Sequence, residues 1–346
     1  MNTIKIAING FGRIGRLFFR QAFETPGLEV VAINDLGDIE NLAYLLKYDT
    51  VYRVYDKEIS FKADASGVGG VLTVGGKEIK FFQIKDPSQL PWKTLNIDIA
   101  VESTGVFDSY EKAKVHLAAG AKRVVITAPA KDPDVEGKTV LMGVNEMDAK
   151  ATPMTSNGSC TTNSASPVIQ VLSQNPGILK AVLSTVHAYT ATQSTVDGPV
   201  KGSDFRRGRA AAQNIAPSST GAAIAVTRAI PELEGKFDGV AFRVPVPAGS
   251  ISDITFVAKR KTTPEEINDI LRKAAASPNW QGILKVSDDQ LVSSDVIGMP
   301  YGAIVDAQHT KVIDGDLVKV LSWYDNEAGY VSTLIKHVLK VGEFLQ

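Results

Sequence analysis

The sequence of 346 residues contains a single cysteine. One cysteine cannot form an intrachain disulfide or a cysteine-based zinc cluster, so both are excluded, and we expect no metal site. An excess of charge of one sign is also lacking, because 37 lysines and arginines face 38 aspartates and glutamates. The resulting net charge of −1 gives no global electrostatic reason to bind nucleic acid or an anionic membrane, and neither partner is expected.

Long apolar runs and targeting segments are missing as well. The apolar runs fall far short of the roughly 18 residues that a membrane helix needs. Residues 1–5 lead into an apolar strand pattern, without the basic segment, apolar segment and cleavage site of a signal peptide. We therefore expect a cytoplasmic protein. Apolar residues make up 44% of the chain, which is ordinary for a globular protein, and the length suggests two domains.

The first part of the sequence alternates strands and helices. Residues 4–8 have the pattern of a strand, 14–23 that of an amphipathic helix, and 28–33 that of a second strand. This order forms a βαβ unit, which implies a parallel sheet. A helix is predicted over 110–119, between two further apolar strands. The stretch 59–83 interrupts this order: its alternating residues, with Gly69-Gly70 and Gly75-Gly76, predict antiparallel hairpins.

The pattern changes near residue 150. Longer strand-like runs follow at 179–186, 240–244, 251–259 and 317–323, together with a helix over 264–276 for which Thr263 is the expected N-cap. The fold class expected is α/β, with a Rossmann-type dinucleotide-binding domain and an α+β catalytic domain that has a mostly antiparallel sheet. We expect an NAD-binding domain over 1–159 and a catalytic and oligomerisation domain over 160–327. A C-terminal helix over about 328–346 is expected to pack back on the first domain.

A glycine-rich turn carries the first functional motif. Gly10, Gly12 and Gly15 fit the pattern G-x-G-x-x-G between the first strand and the first helix, and Asp35 follows 20 residues later. The glycines permit a tight turn and close approach to a pyrophosphate, which the helix N-terminus attracts. Asp35 can accept hydrogen bonds from both ribose hydroxyls and would repel a 2′-phosphate. The motif therefore predicts NAD rather than NADP; the alternative is a structural glycine turn with a surface acid.

Cys160 lies in a polar stretch before a helical run, and His187 ends a strand-like run. A cysteine at a helix N-terminus is expected to have a lowered pKa, because the helix dipole stabilises the thiolate. A Cys–His pair is a standard way to activate a thiol. Taken alone, a lone cysteine is more often a small buried residue and a lone histidine a hydrogen-bonded core residue. His116, His309 and His337 show no comparable setting.

Several residues are candidates for binding anions. Arg207 lies in a cluster of three arginines within the long segment 191–215, which has little periodicity and is expected to be functional or an interface. Thr220 and Gly221 precede a helical stretch whose backbone amides could bind phosphate. Arg243 is a charge inside an otherwise apolar strand and needs an anionic partner, either a carboxylate or a ligand phosphate.

Taken together, these segments closely resemble phosphorylating glyceraldehyde-3-phosphate dehydrogenase, a family whose pattern runs through essentially the whole chain. The stretches that carry the resemblance are 9–16 (NGFGRIGR), 102–105 (ESTG), 159–163 (SCTTN), 187–190 (HAYT), 219–222 (STGA), 243–245 (RVP) and 323–327 (WYDNE). The resemblance implies that Cys160 attacks an aldehyde to form a thiohemiacetal and that His187 acts as base while hydride passes to NAD. Inorganic phosphate would then cleave the thioester to give the acyl phosphate.

The resemblance also implies binding residues. One phosphate site would use Thr190 and Arg243, and the other would use Ser159, Thr161, Thr220 and Gly221, with Arg207 nearby. The residues implied for the cofactor are Gly10, Gly12, Arg13, Ile14, Gly15, Asp35, Lys85, Thr127 and Asn326. Asn326 would orient the nicotinamide carboxamide, and Lys85 stands near the adenine, where the family commonly has arginine. The segment 191–215 would reach a neighbouring subunit's cofactor in a homotetramer.

The sequence departs from the family pattern at several positions, and it leaves three alternative functions open. Gly158 stands where the family usually has alanine, Ala248-Gly249 replaces Asn-Val, and Ala328 replaces a frequent tryptophan. The related erythrose-4-phosphate dehydrogenase lacks the STGA stretch and the Ala-Tyr-Thr after the histidine, both of which this chain has. A non-catalytic NAD-binding interaction protein would not need Cys160, His187 and Arg243. A thiol hydrolase would leave the dinucleotide motif unexplained.

Overall fold

The computed structural model describes residues 3–64, 69–200 and 202–345. It divides into two compact units, which we call the first unit (Met1–Val140, Asn145–Gly158 and Leu334–Gln346) and the second unit (Leu141–Val144 and Ser159–Thr333). Within the described ranges, none of the helices has both the length and the apolar character needed to cross a bilayer.

The first unit is built on a nine-stranded sheet with short helices. Its strands and helices, in chain order, are β1 (Ile4–Asn9), α1 (Arg13–Glu24), β2 (Leu28–Asn34), α2 (Ile39–Lys47), β3 (Tyr48–Asp49), β4 (Arg53–Val54), β5 (Ile59–Ala63), β6 (Gly69–Val74), β7 (Lys77–Phe82), β8 (Ile99–Glu102), α3 (Tyr110–Ala113), α4 (Val115–Ala118), β9 (Arg123–Ile126), β10 (Lys138–Thr139) and β11 (Met154–Ser156). β3 and β4 form a separate two-stranded sheet.

The strand order of this sheet is that of a dinucleotide-binding fold. It runs β10-β11-β9-β8-β1-β2-β7-β6-β5, and all pairs from β10 to β7 are parallel. The carboxyl ends of β1, β2, β8 and β9 therefore meet at one edge, with the strand order reversing at β1, where such sheets bind ligands. The predicted Rossmann-type fold is confirmed.

The antiparallel hairpins predicted over 59–83 are confirmed, since β5 pairs with β6 and β6 with β7 in antiparallel fashion, and the stretch 110–119 is helical as predicted, with a difference of detail in each. Gly75 and Gly76 do form the turn between β6 and β7, with φ of +53° and +79°. Gly69 and Gly70, however, lie inside β6, where an added Cβ would come within 2.4 Å of a neighbouring strand's carbonyl oxygen. Glycine is required at these two positions because the neighbouring strands pack closely. The residues 65–68 before them lie outside the described part of the chain. The predicted helix over 110–119 is two short helices separated at Lys114, whose ψ of −24° is typical of a tighter 3₁₀ turn.

The second unit packs helices on a seven-stranded sheet. Its elements are α5 (Cys160–Gln174), β12 (Ile178–Ala188), β13 (Ala216–Ser219), α6 (Ala222–Ala229), β14 (Phe237–Val244), β15 (Ser250–Ala258), α7 (Pro264–Ala275), β16 (Leu284–Ser287), β17 (Ala303–Ile313) and β18 (Leu317–Tyr324). A last helix, α8 (Ala328–Gly342), begins in this unit and ends in the first. Thr263 caps α7 as its sequence predicts, because its side chain accepts a hydrogen bond from the Glu266 N–H.

The sheet of the second unit is mostly antiparallel, as predicted. Its order is β13-β14-β12-β15-β18-β17-β16, in which only the β12–β14 and β16–β17 pairs are parallel. Alternate residues of β15 are buried, so one face of the sheet packs against helices, with Ile169 of α5 and Leu271 of α7 fully buried in the same core as Phe256. The register of β12 with its neighbours fixes which residues face this core.

Candidate active site

Cys160 is the first residue of α5, and its position is fixed by the residues just before it. The Ser159 side chain accepts the Thr162 N–H at 3.1 Å and the Thr162 hydroxyl bonds the Ser159 N–H, which together form a capping box. Gly158 has a φ of +63°, which glycine adopts without strain and alanine resists. The departure from the family pattern at Gly158 therefore has a backbone reason in this chain.

His187 lies near the end of β12 with its imidazole against the thiol. The Cys160 Sγ and the His187 Nε2 are 3.3 Å apart. The parallel pairing of β12 with β14 places Arg243 directly opposite His187, and the Arg243 Nη1 is 2.8 Å from the His187 Nδ1. The structure thus brings together Cys160, His187 and Arg243, although Cys160 and Arg243 are 83 residues apart in the sequence.

Burial determines the protonation of this pair. It lowers the pKa of His187 to about 3, with the positive charge of Arg243 acting in the same direction. Burial also raises the pKa of the Cys160 thiol, although the charge of Arg243 and the backbone N–H of Thr161 act against this rise. The expectation that the helix N-terminus lowers the cysteine pKa is therefore wrong, because desolvation of the thiolate outweighs the nearby positive charge. At neutral pH the pair consists of a thiol and a neutral imidazole.

The neutral imidazole has two possible tautomers, with the proton on either Nδ1 or Nε2. Which one forms depends on whether Nδ1 accepts from Arg243 or donates to Ala188. The His187 Nδ1 lies 2.7 Å from the Ala188 carbonyl oxygen and 2.8 Å from the Arg243 guanidinium. A guanidinium only donates and a carbonyl only accepts, so Nδ1 can satisfy one of these neighbours at a time. When Nδ1 donates to the Ala188 oxygen, the lone pair of Nε2 faces the thiol and can accept its proton.

A buried tyrosine that the sequence reasoning did not assign lies beneath the pair. The Tyr324 ring packs edge-on against the His187 imidazole, with ring centroids 5.9 Å apart. Its hydroxyl oxygen is 2.9 Å from the Thr161 Oγ1 and 2.7 Å from the Thr185 Oγ1. Since the Thr185 hydroxyl donates to the Ile251 carbonyl, Tyr324 donates to Thr185 and Thr161 donates to Tyr324. Burial raises the pKa of Tyr324, so the phenol stays neutral.

Arg243 has no carboxylate partner among the ion pairs of the described residues. Its pKa is lowered by burial and by the charge of Arg207, so the two guanidiniums lie within electrostatic range of each other. Arg207 in turn donates to the Thr192 hydroxyl at 3.3 Å, and that hydroxyl is 3.0 Å from the Thr190 Oγ1. Two arginines beside threonine hydroxyls are suited to an anionic ligand.

The other residues assigned to phosphate binding take part in helix starts. Ser159 caps α5, and the Thr220 hydroxyl accepts the N–H of Ala222 at the start of α6 at 3.2 Å. Gly221, the formal N-cap of α6, contributes no side chain, so the N-cap residue does not occupy the backbone N–H groups that follow Ala222, and these are suited to an anion. Through Thr192, Arg207 is linked to Thr190 of the first set, whereas the sequence grouped it with Ser159 and Thr220.

Asn326 follows β18 and is buried, with 4% of its surface exposed. Its side-chain oxygen accepts hydrogen bonds from the Gly249 N–H at 3.0 Å and from the Ser250 hydroxyl at 3.1 Å. These contacts involve the segment 248–250, where the chain departs from the family pattern.

The glycine turn of the first unit meets the geometric requirements of a dinucleotide site. Gly10 has a φ of +94°, and a Cβ on Gly15 would lie 2.1 Å from the Gly10 carbonyl oxygen. A Cβ on Gly12 would meet nothing within 4 Å, so the turn is open on that side, and no side chain caps the N-terminus of α1. The N–H groups at this helix start, including those of Arg13 and Ile14, are suited to a pyrophosphate. The residues present therefore fit NAD.

Asp35 follows β2 and is tied to the glycine turn. Its carboxylate oxygens accept the N–H of Phe11 at 2.6 Å and that of Gly37 at 2.7 Å. The charged group is thereby held beside the turn, with lone pairs left for a ribose. Arg13, by contrast, directs its side chain to Asp49 in a salt bridge, so its contribution to a cofactor site would come from its backbone.

A buried polar network at the same sheet edge was not foreseen from the sequence. Glu102 ends β8 and accepts hydrogen bonds from the Asn9 side chain, His116 and the N–H of Thr104. The Trp92 indole donates to the His116 Nδ1, so His116 carries its proton on Nε2 and is neutral. A strand-end carboxylate three residues before a glycine was the only sequence signal for it. Thr127 follows β9 at this edge, and Lys85 is exposed beyond β7.

Comparison with known proteins gives the family. The family profile described as "Glyceraldehyde 3-phosphate dehydrogenase, NAD binding domain" matches residues 4–110, and that described as "Glyceraldehyde 3-phosphate dehydrogenase, C-terminal domain" matches residues 159–326. The chain is 48% identical to glyceraldehyde-3-phosphate dehydrogenase of Clostridium pasteurianum over 336 residues, which cover 96% of both chains.

Further relatives agree. The chain is 45% identical to glyceraldehyde-3-phosphate dehydrogenase 2 of Streptomyces avermitilis, over 99% of this chain and 100% of the relative. It is 48% identical to the enzyme of Borreliella burgdorferi, over 96% of this chain and 98% of the relative. The resemblance inferred from the motifs is confirmed, as is NAD as the cofactor: the chain belongs to the glyceraldehyde-3-phosphate dehydrogenase family of NAD-dependent oxidoreductases.

Proposed function

We propose that this protein oxidises D-glyceraldehyde 3-phosphate to 1,3-bisphosphoglycerate, with NAD and inorganic phosphate as the other substrates, as a step of glycolysis and gluconeogenesis. The observation that carries this proposal is the 3.3 Å contact between the Cys160 Sγ and the His187 Nε2 beside an arginine that has no carboxylate partner in the described structure. A nucleophile, a base and an anion-binding group are the three parts that phosphorylating oxidation of a phosphorylated aldehyde needs.

In the first half-reaction, the Cys160 sulfur attacks the aldehyde carbon while the His187 Nε2 takes the thiol proton and returns it to the new hydroxyl, which gives a thiohemiacetal. His187 then removes that hydroxyl proton as hydride leaves the same carbon. NAD, when bound, accepts this hydride. The backbone N–H of Cys160 at the start of α5 would stabilise the developing oxyanion. The product of this half-reaction is a thioester on Cys160.

In the second half-reaction, an oxygen of inorganic phosphate attacks the thioester carbon, the C–S bond breaks, and the sulfur regains a proton from His187. Thr190 and Arg243 would hold the phosphate of the substrate. Ser159, Thr161, Thr220, Gly221 and Arg207 would hold inorganic phosphate. An anion on Arg243 would draw the guanidinium from the His187 Nδ1, which frees Nδ1 to donate to Ala188 and leaves Nε2 as the acceptor.

For the cofactor, the turn of Gly10, Gly12 and Gly15 with the backbone of Arg13 and Ile14 would bind the pyrophosphate. Asp35 would bind the ribose hydroxyls, and Asn326 would orient the carboxamide. Lys85 would lie near the adenine, and Thr127 would contact the nucleotide. The corresponding division is an NAD-binding domain over 1–159, with the end of the C-terminal helix, and a catalytic domain over 160–327. His337 donates a hydrogen bond to Asn157 and accepts one from Thr155, and these contacts support assigning that helix end to the first domain.

We also propose a homotetramer in the cytoplasm. Val182, Val186 and Leu317 are exposed on the sheet face of the second unit that points away from its helices, and exposed apolar sheet faces of this kind mark interfaces. The segment 191–215 would reach a neighbouring subunit. Sedimentation equilibrium that returned the 37.0 kDa mass of one chain would contradict the tetramer, and cell fractionation tests the location.

An NADH absorbance assay with glyceraldehyde 3-phosphate tests the reaction. We expect sustained NADH formation only when inorganic phosphate is present, and Cys160→Ser to lower the rate by at least about a thousandfold because the nucleophile is lost. NAD binding by this variant, measured by tryptophan fluorescence, should be unchanged. Phosphate-independent turnover, near-normal activity of Cys160→Ser, or a higher specificity constant for erythrose 4-phosphate would refute the assignment.

The pH dependence of alkylation tests the protonation of the pair. Because the thiolate is the nucleophile and burial raises the Cys160 pKa, modification by iodoacetamide should accelerate with pH and have its midpoint above the value of about 8.5 for a free thiol. Since the His187 pKa is about 3, no step should occur near neutral pH. Intact-mass spectrometry measures the rate at a single cysteine, with glutathione as the reference thiol. A rate that is already constant at mildly acidic pH would show a preformed thiolate.

The charge of Asp35 should set the cofactor preference. Asp35→Asn keeps an oxygen for the Phe11 or Gly37 N–H while it removes the negative charge that would face a 2′-phosphate. We expect the ratio of kcat/KM for NADP to that for NAD to rise about fivefold to tenfold, as loss of a charge repulsion of about 1 to 1.4 kcal/mol implies. Asp38→Asn, which alters the acid that caps α2, is the matched control and should leave the ratio unchanged. An unchanged ratio in Asp35→Asn would refute the ribose role.

A further inference from the structure

The orientation of the Asn326 amide is determined by its neighbours. A backbone N–H only donates, so the side-chain atom of Asn326 that faces the Gly249 N–H at 3.0 Å is the amide oxygen. The Ser250 hydroxyl approaches the same oxygen at 3.1 Å. No hydrogen bond within the described ranges uses the Asn326 Nδ2. This buried side chain therefore presents only N–H donors to a ligand.

Ser250 has a defined hydrogen-bond direction. It is the first residue of β15 and is 1% exposed. Its oxygen accepts the N–H of Ala188 at 3.1 Å, and its single proton is then directed to the Asn326 Oδ1. Ala188 follows His187 and carries the carbonyl oxygen that lies 2.7 Å from the His187 Nδ1. One buried hydroxyl thus connects the backbone beside the proposed base with the amide of Asn326.

Gly249 supplies the second donor from a conformation that favours glycine. Its φ is +86°, and an added Cβ would lie 2.3 Å from the Ser293 carbonyl oxygen. A side chain at this position would have to displace backbone of the segment around Ser293, and the Gly249 N–H would move away from the Asn326 oxygen. The glycine at 249 therefore has a packing reason that involves Asn326 directly.

We propose that Ser250 and Gly249 are positioning residues that hold the Asn326 amide with its N–H groups toward the carbonyl oxygen of the nicotinamide carboxamide. A flipped amide would present its oxygen to that carbonyl and would lose both internal hydrogen bonds. The ligand group recognised is a neutral carbonyl acceptor on the nicotinamide ring. This inference rests on the proposed cofactor role of Asn326. It adds the two residues that determine whether the Asn326 amide presents its N–H donors or its oxygen to the carboxamide.

The test measures dissociation constants of NAD and of ADP-ribose. ADP-ribose keeps the adenine, both riboses and the pyrophosphate of NAD but lacks the nicotinamide. Ser250→Ala removes the donor to Asn326, and we expect it to weaken NAD binding about threefold to tenfold and to leave ADP-ribose binding unchanged. In an Asn326→Ala background, the same Ser250→Ala change should have no further effect on NAD, because Ser250 acts through Asn326. Tryptophan fluorescence titration gives the dissociation constants of both ligands for the unmodified protein, the two single variants and the double variant.

A matched control lies on the same strand. Ser252 is fully buried two residues along β15 on the same face, and its hydroxyl has no hydrogen-bond partner among the residues that the structure describes. Ser252→Ala should leave both dissociation constants unchanged. Should Ser250→Ala fail to give a folded protein by thermal melting, Ser250→Cys keeps the shape with a weaker donor, and we expect it to weaken NAD selectively by about twofold to fivefold.

Three results with the variants would overturn the inference. They are unchanged NAD binding in the Ser250 variants, equal weakening of NAD and ADP-ribose, and a further loss of NAD affinity when Ser250→Ala is added to Asn326→Ala. Equal affinity of the unmodified protein for NAD and ADP-ribose would do the same, since the carboxamide would then contribute nothing. Failure of the proposed reaction is distinguishable, because it shows as absent phosphate-dependent NADH formation and leaves these binding constants measurable.

Discussion

The contact between the Cys160 sulfur and the His187 imidazole depends on the pairing of two parallel strands and the start of one helix. Parallel pairing of β12 with β14 sets His187 opposite Arg243, and the capping box of Ser159 and Thr162 fixes where α5 begins. A shift of β12 by one residue would turn His187 to the opposite face of the sheet. The chemistry of the thiol therefore rests on strand register, which the buried core of the second unit holds in place.

Anion binding in this protein is local, since the net charge of the chain is −1. In the second unit, Arg243 and Arg207 lie within electrostatic range of each other, and no carboxylate in the described structure is ion-paired with Arg243. In the first unit, Asp35 puts a negative charge beside the glycine turn, where it would exclude a 2′-phosphate but accept ribose hydroxyls. Side chains of opposite sign thus select for different anions, and the total charge conceals both effects.

The sequence predicts those features that depend on neighbours along the chain. The glycine turn, the Thr263 cap and the Gly75-Gly76 hairpin are local in this sense, and the structure has all three. The pKa of Cys160 depends on burial by residues distant in sequence, so the helix-start argument gave the wrong direction. The glycine pairs predict hairpins over 59–83, but a glycine can serve either in a turn or where strands pack closely, and only the pairing with β7 shows that Gly69 has the second use. The bonds of Glu102 and Asn326 likewise join residues far apart in the sequence.

The groups that surround the thiol and the imidazole are neutral apart from the arginines, and there is a physical reason for this choice. A carboxylate in place of the hydroxyls of Thr161, Thr185 or Tyr324 would raise the Cys160 pKa further and would repel an anionic substrate. Hydroxyl groups orient side chains by hydrogen bonds without adding charge. Because Thr185 donates to the Ile251 carbonyl oxygen, each hydroxyl in the chain from Thr161 through Tyr324 to Thr185 donates to the next, and the chain has a single direction. Ser250 follows the same principle toward Asn326. Directed neutral hydrogen bonds thus fix the geometry and leave Arg243 and Arg207 to set the electrostatic potential that an anion meets.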